Sequence, residues 1–413
     1  MPILSDTKFL VAHYMPYTDL PDECLERDSL WVDIPNAYYD PHKGHALYER
    51  YLGEAVLAEE LGFDGLCINE HHATPASMMP VPSIIASAIF ARTEKLRVCI
   101  MGTPPNLENP HRLAEGYAML DVMSGGRLEV AIPLGTPMEY WVNPVAPATA
   151  RDRLHESIDI MLKSWETQTG EPKGYDGKFY HYKYLNVWPR PIQQPHPPIF
   201  LVGSGSLTTV EMAARLGFGY AATFSPIPKQ MKALEIYRQK SVEAGHDPDP
   251  SKFPLTAMVY VADTDEQAVE EMTPWADFYF GQLLKSGRFI ELPGYIPVDE
   301  FRRRDGKFIP ESHGVFDWKA IEAVYRVVAG SPETVANQLE KWAEETGSNR
   351  IICEVHIGNM PHDKVVSNMT KLAKEVIPIL EERRDGAPKV EQSPQSAYLD
   401  PPEMMRFRKW TGR

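Results

Sequence analysis

The chain has 413 residues, 43% of them hydrophobic and 24% charged, and 42 basic against 57 acidic residues give a formal charge of −15. Such acidity opposes a phosphate backbone, which argues against nucleic acid as a partner. The composition excludes a wholly disordered chain, and no run approaches the length of about 18 apolar residues that a membrane span needs.

Short apolar runs alternate with helical patterns along the chain. The runs fall at residues 9–14, 65–69, 96–101, 128–134, 199–202, 220–224, 255–261 and 351–357. Eight strands, mostly separated by helices, predict an α/β fold of the (β/α)8 TIM-barrel type, with an open doubly wound sheet as the alternative. Tyr51, Ala55, Ala58 and Leu61 recur at helical spacing, and Gly62 ends that helix. Ser331-Pro332 predicts a helix start, followed by a stripe of Val335, Leu339 and Trp342. Val365, Met369, Leu372 and Val376 mark the last long helix. Insertions are expected after strands 1, 4 and 7, at residues 18–44, 166–198 and 286–313. The second contains a small hairpin, and the third has the length and composition of a lid. Residues 1–383 read as one domain and 384–413 as a polar extension.

Cys24, Cys67, Cys99 and Cys353 form no CxxC pair. Buried free thiols are expected rather than disulfides or a zinc cluster, which points to a reducing compartment, the cytoplasm. The opening MPILSDTKFL does not have the pattern of a signal peptide. Arg302, Arg303 and Arg304 read as a solvated loop face.

Three stretches could carry chemistry. Asn69-Glu70-His71-His72 follows the second strand, where a barrel presents polar residues to its mouth. An imidazole there can exchange protons near neutrality, with Glu70 beside it to fix its tautomer. There is no HExxH pattern, so no metal is expected. Gly203-Ser204-Gly205-Ser206-Leu207-Thr208-Thr209 follows the fifth strand and opens a helix, an arrangement able to cradle a phosphate. After the third strand comes MGTPPNLENPHR, in which Arg112 reads as a helix anchor, while Gly125-Gly126-Arg127 reads as a structural turn.

Four segments resemble the bacterial-luciferase-like flavin monooxygenases. They are LGFDGLCINEHH at 61–72, NPHRLAEGYAMLDVMSGGRLEVAI at 109–132, GSGSLTTVEMAARLG at 203–217, and GSPETVANQLEKWAEETG with MPHDKVVSNMTKLAKEVIP toward the end. The resemblance implies a (β/α)8 oxygenase that uses reduced FMN from a separate flavin reductase. With O2, through a C4a-peroxide or hydroperoxide of the flavin, it would oxygenate a small apolar or aromatic molecule. His71 matches the family's catalytic histidine, with Glu70 and His72 in support. Ser206 and Thr209, with the amides of Gly203, Ser204 and Gly205, match the phosphate site, although the basic residue of that site has no evident counterpart. Cys99 matches a cysteine near the flavin ring in luciferase. The aromatic residues Trp31, Tyr38 and Tyr39 suggest a substrate wall. A homodimer or higher homo-oligomer is implied. The alternatives are a deazaflavin- or flavin-dependent oxidoreductase on the same barrel, or a non-catalytic partner subunit.

Overall fold

The computed structural model describes residues 6–223, 226–285, 289, 292–295 and 325–386. The strands are β1 (Lys8–His13), β2 (Gly65–Ile68), β3 (Arg97–Met101), β4 (Leu128–Ile132), β5 (Tyr175–Asp176), β6 (His181–Tyr182), β7 (Ile199–Gly203), β8 (Gly219–Ala222), β9 (Leu255–Val261), β10 (Arg326–Gly330) and β11 (Arg350–Glu354). Nine of them form one parallel sheet in the order β10-β9-β11-β1-β2-β3-β4-β7-β8. β5 and β6 form the expected hairpin, paired antiparallel.

All eight strands read from the sequence are present, and β10 is an addition. It pairs with β9 through Arg326↔Ala257 to Gly330↔Val261. Its sequence, RVVAG, runs directly into a capped helix. So short an apolar run lacks both the alternation and the flanking turns that mark a strand.

The helices start where local chemistry allows. Asp40 caps α2 (Pro41–Glu60) by accepting from the His42 amide at 2.8 Å, so this helix begins inside the loop expected at 18–44. That loop also holds the short α1 (Asp22–Leu25). Next along the chain is α3 (Pro82–Phe90). Asn109 caps α4 (Pro110–Ser124), and Gly125 closes it with φ 68°. Beyond β4 come α5 (Glu139–Val142), α6 (Ala150–Trp165), α7 (Leu207–Leu216), α8 (Ile227–Glu243) and α9 (Asp265–Phe278). Ser331 caps α10 (Pro332–Thr346) as expected. Val365 and Met369 on α11 (His362–Lys371), with Leu372 and Val376 in the turn before α12 (Ile377–Arg384), are buried as their spacing predicts.

The two faces of the sheet carry different cores. Phe9, Val11, Leu66, Ile68, Val98, Ile100, Leu128 and Val130 pack beneath the helices. The alternate residues Leu10, Cys67, Cys99, Ala131, Phe200 and Ile352 meet one another on the inner face. Side chains from six strands can share one cluster only if the sheet curls. The same conclusion follows from Arg350 and Glu129. Their strands, β11 and β4, are four steps apart in the sheet, about 19 Å if it were flat, yet the side chains form a buried ion pair. Arg350 also lies over the Phe200 ring at 5.1 Å, and Arg97 Nε reaches Glu129 Oε1 at 2.7 Å. A flat, open doubly wound sheet is therefore ruled out.

The expected lid at 286–313 lies outside the described residues except for 289 and 292–295, and the extension lies outside them beyond 386. No helix among the described residues is long and apolar enough to cross a membrane.

Removing Glu129 alone leaves the Arg350 guanidinium buried without its counter-charge. Glu129→Ala should cost about 3–5 kcal/mol of stability, and the paired change Glu129→Leu with Arg350→Met should recover most of it. Urea unfolding measures both; equal losses would assign the effect to packing instead of charge.

Candidate active site

The parallel strands bring their C-terminal ends to one rim, where the chemistry-bearing loops begin. After β2 the chain runs through Asn69, Glu70, His71 and His72 and then turns at Ala73, whose φ is 51°. A non-glycine residue rarely adopts that conformation. The two imidazoles face different partners. His71 points to the loop after β4, where its Nδ1 lies 2.8 Å from Glu139 Oε1 on α5. An ionised Glu139 can only accept, so Nδ1 carries the proton and Nε2 is left for a ligand. The edge of Trp31 covers the ring at 4.6 Å between centroids. His72 turns back to Glu70, with Nε2 at 3.1 Å from Oε1, and Thr103 donates to Glu70 Oε2 at 2.6 Å.

The expected pairing of His71 with Glu70 is thus replaced. Glu139 orients His71, and Glu70 joins His72 to the loop after β3. Burial raises the Glu70 pKa against the pull of His72 and Thr103, and the hydrogen bond His72 donates to Glu70 raises that of His72. Glu139 escaped notice because it is remote in sequence, 68 residues from His71. The one available signal was its place in the loop after the fourth strand. Two buried polar atoms near His71 have no partner, Trp31 Nε1 and Glu139 Oε2. Buried polar groups are normally satisfied, so both atoms are free to take a further hydrogen bond.

Of the three aromatic residues, Trp31 alone reaches His71. Tyr39 packs on Tyr17 at 5.0 Å and is exposed. The chain beyond α9 approaches the same place. Lys285 is tied to the loop after β1, its Nζ donating to Arg27 O at 2.6 Å and its carbonyl accepting from Ser29 Oγ at 2.7 Å. Phe289 O accepts from Trp141 Nε1 at 2.7 Å, and Tyr295 donates to Gly135 O at 2.6 Å, both in the loop after β4. The attachments are made to the two loops that supply Trp31 and Glu139.

Cys99 stands apart from this rim. It is closed inside the sheet beside Cys67, close enough to Glu129 and Arg350 to feel their charges. The neighbouring Cys67 and burial push its thiol well above the usual range. Met101, two residues on, is the half-buried inner-face residue at the strand end.

The segment after β7 forms a cradle. Tyr220 donates to Gly203 O and accepts from the Gly205 amide, both at 2.8 Å, which fixes the loop. Gly205 has φ 80°, and a Cβ there would stand 3.1 Å from Lys229 Cε. The positive φ favours glycine, while the exposed lysine chain could move aside. Ser206 starts α7 without a side-chain cap, its hydroxyl instead 2.9 Å from that of Thr208. The first amides of α7 are left for an anion, favoured further by the helix dipole. Lys229, an exposed residue on α8, lies beside Gly205.

Two further clusters lie at strand ends. His13, Glu54 and His356 are buried together, with their ligand atoms within 4.8 Å. His13 Nδ1 accepts the Met15 amide at 2.9 Å, so its proton is on Nε2, which faces Glu54 at 2.5 Å. A metal on Nε2 would have to break one of these bonds, so the cluster fits a hydrogen-bonded lock better than a metal centre. Burial opposes the charge of Glu54, but His13, with Arg50 adding its charge, holds it well below the ordinary range. The other cluster surrounds Glu354 at the end of β11. Its side chain is wholly buried, Tyr325 donates to Oε2 at 3.1 Å, and Tyr14 and Tyr279 stand beside it. Burial pushes its pKa up to about 7.

The family profile for luciferase-like monooxygenases matches residues 37–350. The oxygenase component of flavin-dependent trigonelline monooxygenase from Acinetobacter baylyi is 26% identical over 281 residues, 66% of this chain and 76% of its own. The 3,6-diketocamphane 1,6-monooxygenase of Pseudomonas putida is 25% identical, over 71% and 82% of the two chains. In fold the chain is similar to monooxygenase RslO1 from Streptomyces bottropensis, with TM-score 0.68 and 23% identity over 90% and 99% of the chains. It is also similar to the FMN complex of the oxygenating constituent of the P. putida 3,6-diketocamphane monooxygenase, a type II Baeyer-Villiger enzyme. That likeness has TM-score 0.66 and 21% identity over 92% and 99%. A deazaflavin-dependent secondary alcohol dehydrogenase shares the fold at TM-score 0.61 and 19% identity over 91% and 99%. With the profile spanning most of its length, the chain belongs to the luciferase-like monooxygenase family.

Proposed function

We propose that the chain is the oxygenase of a two-component flavin-dependent monooxygenase, using reduced FMN from a separate reductase and O2 to oxygenate a small organic molecule. The observation that carries this reading is His71 held between Trp31 and Glu139, with unpartnered polar atoms on both, at the rim that also bears the Gly203–Ser206 cradle. The cradle fits the flavin phosphate. Ser206, Thr209 and the first amides of α7 would hold it, and Lys229 would balance its charge. Bound reduced flavin supplies the activation of dioxygen. His71 Nε2 holds or gives a proton at the reacting group, and Glu139 keeps that nitrogen turned to the ligand. Lys285, Phe289 and Tyr295 attach to the two loops that bear Trp31 and Glu139.

In this reading the curled sheet closes as a (β/α)8-type barrel, with β10 an added strand beside β9 and insertions after the first, fourth and seventh barrel strands, within a single domain ending near residue 383. β8 and β9 approach each other where that barrel would close. The four buried free thiols fit a reducing compartment, and we place the enzyme in the cytoplasm.

A second copy is the partner we assign to the α3–α4 face. Val81 and Ile84 on one side and Met119, Val122 and Met123 on the other are exposed, and the two helices pack side by side. An apolar surface of this kind marks an interface. Light scattering should show a dimer that Ile84→Asp with Met123→Asp dissociates; a monomeric wild type removes the assignment.

The deazaflavin oxidoreductase is the rival reading, because a protein of that kind shares the fold. The His71–Glu139 pair argues against a non-catalytic subunit. Anaerobic titration should show tighter binding of reduced FMN than of oxidised FMN or reduced deazaflavin; a deazaflavin preference ends the monooxygenase reading. His71→Ala should lower product formation by about 10²–10⁴-fold and change reduced-FMN binding much less, because the cradle is on β7. Wild-type product formation in that variant would make His71 structural.

A further inference from the structure

The Glu354 cluster has no part in the chemistry assigned above. Glu354 continues the inner-face alternation of Arg350 and Ile352, as Tyr14 continues that of Leu10 and Ala12, so both belong to the interior at the mouth. Ala12, Tyr14, Met101 and Val202 are only half-buried, so the inner face is open at this end. The Glu354 side chain lies deeper, with 0% exposure, and its Oε1 has no hydrogen-bond partner. No cation among the described residues forms an ion pair with it. A buried carboxyl is normally paired, and this one is surrounded instead by Tyr14, Tyr279 and Tyr325.

We propose that Glu354 and the tyrosines around it form the recognition site for an organic cation, a quaternary ammonium or N-alkylated aromatic ring, at the inner wall of the mouth. Aromatic faces attract weakly hydrated cations, and a carboxylate at the back of the box supplies the full counter-charge. A strongly hydrated ammonium or metal ion would lose more water than three phenols return. The overall charge of −15 draws cations toward the protein. The site deepens the monooxygenase reading by giving its substrate a positive charge, but cation binding itself requires no flavin.

The proton balance follows from the surroundings. Tyr14, Tyr279 and Tyr325 are all pushed up by burial and by the charge of Glu354. Cys353 is raised by burial to about 12. His13 and His356, from the same two strands, pack against each other and against Tyr51 of α2 instead, and burial keeps His356 neutral. Glu354 is left as the group of this cluster that titrates near neutrality, and it must release its proton to pair with a cation. Binding therefore strengthens as pH rises through about 7 and levels off above that.

N-methylpyridinium and toluene, alike in shape and different in charge, are the probes. Calorimetry on the full chain without flavin should find N-methylpyridinium the tighter ligand at pH 8. Its affinity should fall by about tenfold per pH unit well below pH 7, with proton release on binding near pH 7. Glu354→Gln should lose tenfold or more at pH 8 and lose the pH dependence. Tyr14→Leu should weaken binding but keep that dependence. Burial of an acid that titrates high costs stability as pH rises through this range, so Glu354→Gln should melt at or above the wild-type temperature at pH 8, which separates lost binding from lost folding. Equal affinity for toluene, or unchanged binding by Glu354→Gln, overturns the proposal. Reduced-FMN titration of the same variants is a separate readout: failure there with cation binding intact strikes the monooxygenase reading and leaves the cation site standing.

Discussion

The buried pair of Arg350 and Glu129 depends on a curled sheet and helps to hold it. The residues come from β11 and β4, and Phe200 of β7 and Arg97 of β3 complete the group. Burial disfavours the charge on Arg350, but the Glu129 carboxylate outweighs that effect and keeps the guanidinium charged. Glu129 also takes Arg97, whereas Arg350 has Glu129 as its one ion-pair partner among the described residues, so opening the sheet would leave that guanidinium without its counter-charge. Curling in turn gathers the opposite strand ends. Everything assigned to the mouth depends on β1, β2, β4, β7 and β11 sending their loops to one rim.

At that rim and just outside it, buried carboxylates differ in charge because their neighbours differ. Glu54 has His13 and Arg50 around it and stays ionised despite its burial. Glu70 has a histidine and a threonine, and burial still raises it. Glu354 has only phenols, and rises further, to about 7. The order follows from the supply of positive charge and hydrogen-bond donors against a similar desolvation. One fold thus holds a fixed anion in its frame and a titrating acid in its interior. The two histidines after β2 are divided in the same way. His72 is bound to the carboxylate beside it in sequence, while His71 is turned to one that arrives from another loop.

Much of the fold was legible in the sequence because its signals are local. The apolar runs, the cap at Ser331 and the glycine at 62 each act within a few residues. β10 was not legible, because a run of three small apolar residues becomes a strand only when β9 offers an open edge. The turn at Gly203–Thr209 into a helix was legible from its glycines, hydroxyls and helix start. The approach of Lys229 was not, since it comes from the next helix and lies beside Gly205 only in the folded chain.

The sequence by itself determined the family, the strand and helix order, and the position of His71 at a strand end. Those depend on periodicity, capping and motif spacing, which a linear chain displays. Tertiary structure alone decided that Glu139 and not Glu70 orients His71, and that Glu354 meets three tyrosines from distant segments. The reason is that hydrogen bonds and desolvation depend on distances of a few ångströms between groups far apart in sequence, and only the curled sheet fixes those distances.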